Sequence, residues 1–554
     1  MRHLLSVSLL LACSSSWLLA QEPLTITSEP VEAIVAGITD RELGGHMMFL
    51  SSDLMRGRDT ASPEIRLAAE YLAAHLFCAG AEPAGDREGD DVSYFARFPL
   101  ELTTPRAEGT SLTLIVEQDG VLRESTYELN SDFFLNPRGI DPGSLESPVV
   151  FAGYGIVSEE SGRDDFEGLN INNRLVLVLD GIPPIAEEAA ESETRERGRR
   201  SPRLQGSAFA KLANAQERGA LGLLVIHPFG TDAGPYEQSQ AFSQRAFDRQ
   251  SMALGAATKA LPVFYLEDHV RDDLDIAADL SAEVREPGEL QGVRFRYTFQ
   301  ADREVVHDRN VVGLFPGSDP EKAREVIVFS AHYDHVGVNA DGEIFNGSDD
   351  NASGTSALLE IAQAFGDGPR PARSVAFLWV SGEEKGLLGS RWWSENMTLP
   401  QGYEVVANIN MDMISRNDPG KISLTPSSSH QEYSTLIPTA ISVCEAEGIE
   451  AVFDADQFFN RTDSANFARK GIPIVFFFCG IHEDYHQPTD TFEKSDLEKS
   501  ARVARAAYRL GWAVAQADEV PKKLQSGEEA DAIGEAGAAS ALPAEAAVSS
   551  GSGR

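Results

Sequence analysis

The chain has 554 residues, 42% of them hydrophobic and 24% charged, with a formal net charge of -39. That length exceeds one ordinary core and predicts two or three domains, and the apolar and charged fractions are those of a soluble globular protein. The acidic excess argues against a generic nucleic-acid binder, which needs a basic surface for phosphate, and it repels anionic partners.

Met1 to Ala20 has the layout of an export signal. Arg2 and His3 precede the apolar run Leu4 to Ala12, and small residues lead up to Gln21. Cleavage after Ala20 is expected. Leu10-Leu11-Ala12-Cys13 also resembles a bacterial lipoprotein cleavage site, which would leave Cys13 as a lipid-anchored N-terminus. The apolar run is too short to span a bilayer, and no transmembrane segment is expected further on. Export to the periplasm, the medium or the cell surface follows. Cys78, Cys444 and Cys479 lack metal-type spacing. A Cys444–Cys479 disulfide is allowed in an exported chain, and buried free thiols fit equally well.

Residues 32–84 read as helical, with apolar residues at helical spacing from Ile65 to Phe77 and Gly80 as the stop. Alternation from Tyr94 to Leu135 predicts strands. From 137 to 300 the texture changes. Strands are predicted at 148–155, 174–180 and 221–226, a helix at 209–220, and a charged surface loop at 187–205. From 310 to about 515, continuous apolar runs at 326–330, 374–380, 405–409 and 474–478 alternate with helices such as 353–365. That pattern implies an α/β fold: a mainly parallel, twisted sheet with helices on both faces. Beyond Val520 the chain is rich in Ala, Gly, Glu and Ser without periodicity, which predicts a disordered tail over 520–554.

The chemistry is concentrated between Ala331 and Asp490. Five motifs each follow a strand-like run: His332-Tyr333-Asp334, Gly347-Ser348-Asp349-Asp350-Asn351, Glu383-Glu384, Asn410-Met411-Asp412-Met413 and Tyr485-His486-Gln487-Pro488. Sites on parallel sheets lie beyond the carboxyl ends of the strands, and zinc takes imidazole nitrogen and carboxylate oxygen. Singly, each motif has an ordinary reading: a surface pair, a solvated face, a turn. Together they indicate a metallohydrolase, because buried carboxylates without partners cost several kcal/mol. His482-Glu483-Asp484-Tyr485-His486 also matches His-Glu-x-x-His, which needs a helix to bring both histidines to one zinc. Pro488 opposes that helix, and the rival leaves the four upstream motifs unexplained.

These motifs and their order resemble the co-catalytic di-zinc aminopeptidases, a family that includes the glutamate carboxypeptidases. The resemblance is close over 332–490 and extends loosely to Met47–Arg58. It implies two Zn2+ per chain. His332 and Asp412 would complete one site, Glu384 and His486 the other, and Asp350 would bridge both. Glu383 would be the general base, Tyr485 a donor to the oxyanion, and Asp334 the acceptor of the second N–H of His332, with a bridging hydroxide as nucleophile. His335 reads as a supporting residue and not a ligand.

The Gly153-Tyr154-Gly155 entry, the 175–181 strand and the Asn214–Gly222 helix exit resemble a protease-associated domain inserted in the peptidase. The resulting division is a signal at 1–20, peptidase segments at 21–136 and 301–519, and the insert at 137–300. Thr462-Asp463-Ser464 departs from the Ser-Asp-His of many relatives, which puts any pocket role of that segment in doubt. The expected activity is release of N-terminal residues from peptide substrates. A carboxypeptidase using Arg416 or Arg461, a one-zinc glutaminyl cyclase and a non-catalytic receptor-like protein are the alternatives.

Overall fold

The computed structural model describes residues 29–158, 162–183, 206–227, 236–255, 260–274 and 286–524. The export signal, Cys13, the loop at 187–205 and the tail from 525 onward lie outside the described residues. Two compact units emerge, one from the chain up to Phe98 together with Asp308 onward, the other from Pro99 to His307. The change of texture at 137 therefore does not mark the boundary. The strands Phe95–Gln118 and Gly288–Phe315 run through the boundaries without a break in pattern, so alternation gives no sign of them.

In the first unit the sheet runs Glu450–Val452, Lys421–Thr425, Ile474–Phe478, Glu404–Met411, Glu325–His332, Ser374–Val380 and the end of Gly288–Phe315. The four strands from Ile474–Phe478 to Ser374–Val380 are mutually parallel. Successive side chains of a strand point to opposite faces. Ile327, Phe329 and Ala331 enter one core with Val375, Phe377 and Trp379, while Val326 and Val328 enter another with Ala376, Leu378 and Trp393. Both faces are covered, which is why the strands read as unbroken apolar runs. The helices Asp40–Leu50, Pro63–Cys78, Gly354–Asp367 and Leu497–Gln516 are packed on one another. Caps set where they start: Thr39, Ser62 and Asp496 each accept a backbone N–H of the first turn, and Pro63 begins its helix. Residues 521–524 belong to this unit rather than to a disordered tail. Thr435 N–H donates to the Lys522 carbonyl and Leu524 N–H to that of Tyr433.

In the second unit the strands are ordered Phe133–Leu135, Val263–Leu266, Gly222–Ile226, Leu175–Leu179, Gly143–Phe151 and the start of Gly288–Phe315. Leu175, Leu177 and Leu224 line one core, and Val176, Val178 and Leu223 the other. A hairpin pairs Ser111–Gln118 with Val121–Glu128. No helix among the described residues is long and apolar enough to cross a membrane. Cys78, Cys444 and Cys479 are free thiols, so the disulfide is not formed.

Candidate metal centre

The four parallel strands end side by side, and each chain segment leaving them supplies a polar group. His332 is the last residue of Glu325–His332, and Asp412 directly follows Glu404–Met411. Glu383 and Glu384 follow Ser374–Val380 through Ser381 and Gly382, and Tyr485 and His486 lie in the turns after Ile474–Phe478.

Asp350 comes from the turn Ser348–Ser353 that leads into the helix Gly354–Asp367. Hydrogen bonds fix that turn. The Asp490 carboxylate accepts the N–H of Asp349 at 3.0 Å and of Asp350 at 3.2 Å. The Asn351 side-chain oxygen accepts from Gly354 N–H at 2.9 Å and Met413 N–H at 3.2 Å, which ties the turn to the Asp412 segment. Gly347 enters the turn at φ 57°, where a Cβ would lie 2.3 Å from the Asp350 carbonyl oxygen and 2.5 Å from the His335 ring. Only glycine fits there.

The side chains converge as two groups. His332 Nε2 lies 3.1 Å from Asp412 Oδ1 and 3.3 Å from Asp350 Oδ1. His486 Nε2 lies 3.1 Å from both Glu384 Oε2 and Asp350 Oδ2. The two oxygens of Asp350 thus face different groups. His335 stands nearer than a supporting position one layer out. Its Nδ1 is 2.9 Å from Glu384 Oε1 and 3.7 Å from Asp350 Oδ2, and its buried Nε2 has no hydrogen-bond partner.

Asp334 is placed differently from the expectation. The His332 Nδ1 lies 3.1 Å from the Asp334 carbonyl oxygen, whereas the carboxylate is 3.7 Å away. That carboxylate accepts instead from the Thr60 hydroxyl at 2.9 Å and the Glu383 N–H at 3.2 Å. His482–His486 is turn and not helix. His482 Nε2 faces Asp349 Oδ2 at 3.1 Å, so the two histidines of the His-Glu-x-x-His match serve different carboxylates.

Burial works against charge on Asp350, yet His335, His332 and His486 outweigh it and hold the carboxyl well below the usual range. Burial drives Glu383 the other way, well above the usual range; His332 opposes this, and Glu384, Asp463 and Asp412 reinforce it. Among the described residues, no lysine or arginine pairs with Asp350, Glu383, Glu384 or Asp412; the ion-pair partners of Asp350, Glu384 and Asp412 are all imidazoles. So much buried negative charge with nitrogen and oxygen donors fits divalent cations, zinc among them.

The same carboxylates open onto a pocket. Asp350, Glu383 and Asp412 line it together with Met413, Phe458, Phe476, Phe478, Ile481, Arg461 and Tyr485. Two buried groups lie in segments the sequence reading quoted without giving either residue a role. Arg58, 1% exposed, donates to the carbonyls of Tyr333, Leu50, Asn346 and Gly347. Asp463 is equally buried, and burial raises its carboxyl pKa to about 7. The signal for His335 was present in His332-Tyr333-Asp334-His335, but spacing alone does not say where a turning chain points its side chain.

Comparison with known proteins follows the geometry. Residues 310–510 match the profile of Peptidase family M28. A "Probable leucine aminopeptidase" of Trichophyton verrucosum is 29% identical over 209 residues, 35% of this chain and 56% of the relative. This match spans little more than half the relative's length. A "Probable lipoprotein aminopeptidase LpqL" of Mycobacterium tuberculosis is 27% identical over 411 residues, 67% of this chain and 68% of the relative. The solved aminopeptidase from Aneurinibacillus sp. strain AM-1 is 17% identical, with coverage of 90% and 97% and a TM-score of 0.49. Residues 310–510 of this chain form a domain of Peptidase family M28, homologous to proteins described as probable aminopeptidases and a probable glutamate carboxypeptidase.

Proposed function

We propose that the chain is an exported zinc-dependent exopeptidase, an aminopeptidase that removes N-terminal residues from peptides. The observation that carries this reading is the division of Asp350, one oxygen toward His332 and Asp412 and the other toward Glu384 and His486. His332, Asp412 and Asp350 would hold one zinc, and Glu384, His486 and Asp350 a second. Bound there, zinc supplies Lewis acidity toward the scissile carbonyl and the attacking water. His335 holds Glu384 in place through Nδ1.

Glu383 lines the pocket, and its backbone N–H is fixed by Asp334. From that position the Glu383 carboxylate would take a proton from the attacking water and pass it to the departing amine. Tyr485 stacks on the His486 ring at 3.9 Å, and its oxygen accepts a 3.4 Å hydrogen bond from Arg461. The phenol hydrogen is therefore free to donate to the developing oxyanion. Residues 99–307, with their own cores, are the part we assign to the protease-associated type.

The test is mass spectrometry of an unblocked peptide incubated with the zinc-loaded protein. A ladder shortened from the amino end and suppressed by chelator is expected. Loss from the carboxyl end would overturn the aminopeptidase reading.

A further inference from the structure

Two arginines lie near the site motifs, and the structure separates them. Arg416 is taken up: it contacts Asp484 at 2.5 Å and faces Asp490 at 3.6 Å. Arg461 lines the pocket with Glu383 and Asp412. Its guanidinium lies 5.4 Å over the Phe458 ring and donates to Tyr485 at 3.4 Å, and no carboxylate among the described residues comes within ion-pair distance. Arg461 is itself exposed, so its remaining donors are open to a ligand.

A guanidinium offers five donors in a planar fork that matches a carboxylate. One edge is anchored by the tyrosine and the aromatic face, and the remaining donors are left for a ligand. The apolar walls at Met413, Phe458, Phe476 and Phe478 suit an uncharged side chain, so the carboxylate must belong to another part of the substrate. We infer that Arg461 is a carboxylate-recognition residue of this pocket, selecting peptides that carry a carboxylate next to the residue being released. That carboxylate is either the terminus of a dipeptide or an acidic side chain just beyond the scissile bond. The inference rests on the aminopeptidase reading. It also runs against bulk electrostatics, since a net charge of -39 disfavours anionic substrates.

Three peptides with free amino ends test it: Leu-Ala, Leu-Ala amide and Leu-Asp amide. Wild-type kcat/KM is expected to be about tenfold or more higher for Leu-Ala than for its amide, the value of one charge-assisted hydrogen bond. The ratio should shrink in high salt. In Arg461→Gln it should fall to about one whatever the absolute rates, and Arg461→Lys should keep part of it. Leu-Asp amide patterning with Leu-Ala assigns side-chain carboxylates to the same residue, and its patterning with Leu-Ala amide restricts recognition to the terminus. Equal wild-type rates for Leu-Ala and its amide, or an unchanged ratio in Arg461→Gln, would overturn the inference. If no peptide is cut, the peptidase reading fails, and calorimetry of Leu-Ala against its amide still decides Arg461: equal affinities reject it.

Discussion

Asp490 holds Asp350 by its backbone: the buried Asp490 carboxylate accepts the Asp350 N–H at 3.2 Å, with Asp349 N–H alongside at 3.0 Å. Asp350 has both its oxygens turned to the site, so its orientation depends on this contact behind it. Asp490→Asn replaces one acceptor oxygen by a donor and sets it against those N–H groups. We expect a roughly 10- to 100-fold loss in zinc affinity. Competition with a chromogenic chelator measures it, and unchanged circular dichroism shows that the fold persists.

Glu383→Gln removes the proton acceptor but leaves the other site carboxylates and imidazoles intact. Turnover should fall by about 10^2- to 10^4-fold with zinc content unchanged. Activity near wild type at full zinc loading would refute the assignment of Glu383 as the base.

Arg58 serves the site as an internal brace. It ties the carbonyl after His332 to those of Asn346 and Gly347, just ahead of the Asp350 turn. Burial lowers its pKa to about 10, so it is charged at neutral pH. Arg58→Met takes the side-chain donor from the buried carbonyls of Tyr333, Leu50 and Asn346, while Gly347 keeps the Ala352 N–H, and should cost several kcal/mol, at about 1–3 kcal/mol for each unpaired group. Urea unfolding measures the loss, and Arg58→Lys should recover only part of it.

Lys211 gives the second unit a pH dependence of its own. Fully buried, it donates to the Leu179 carbonyl at 2.6 Å and the Gly181 carbonyl at 2.7 Å. Burial lowers its pKa from 10.5 to about 8, against the pull of Asp180 and Asp165. Below that value the lysine is charged in folded and unfolded chains alike, and the burial cost is present in full. As pH rises from about 8 to 10.5 the folded state releases its proton first, so stability increases, by roughly 3 kcal/mol in total. Lys211→Met should lack that rise. Thermal unfolding of both proteins at pH 7 and pH 10 tests this, because other ionisations cancel in the comparison.

The sequence made the site legible because each motif sits where a strand ends, and a buried parallel strand is a conspicuous apolar run. Val326–Ser330 and Ile474–Phe478 stood out this way, and Ser62-Pro63 marked a helix start. The boundary at Phe98 did not, since Phe95–Gln118 is continuous through it. Nor did the position of His335 or the partners of Asp334. Those depend on how the chain turns after His332, and Thr60 and Arg58, distant in sequence, fix that turn. Long-range contacts of this kind leave no local periodicity to read.

Sharing Asp350 makes the two halves of the site interdependent. Were a cation to bind at each group, as proposed, whatever one did to that carboxylate's charge and rotation would be felt by the other, and linkage would require the effect to be reciprocal. Affinity would then be a property of the pair, and occupancy and chemistry would be set jointly through one side chain.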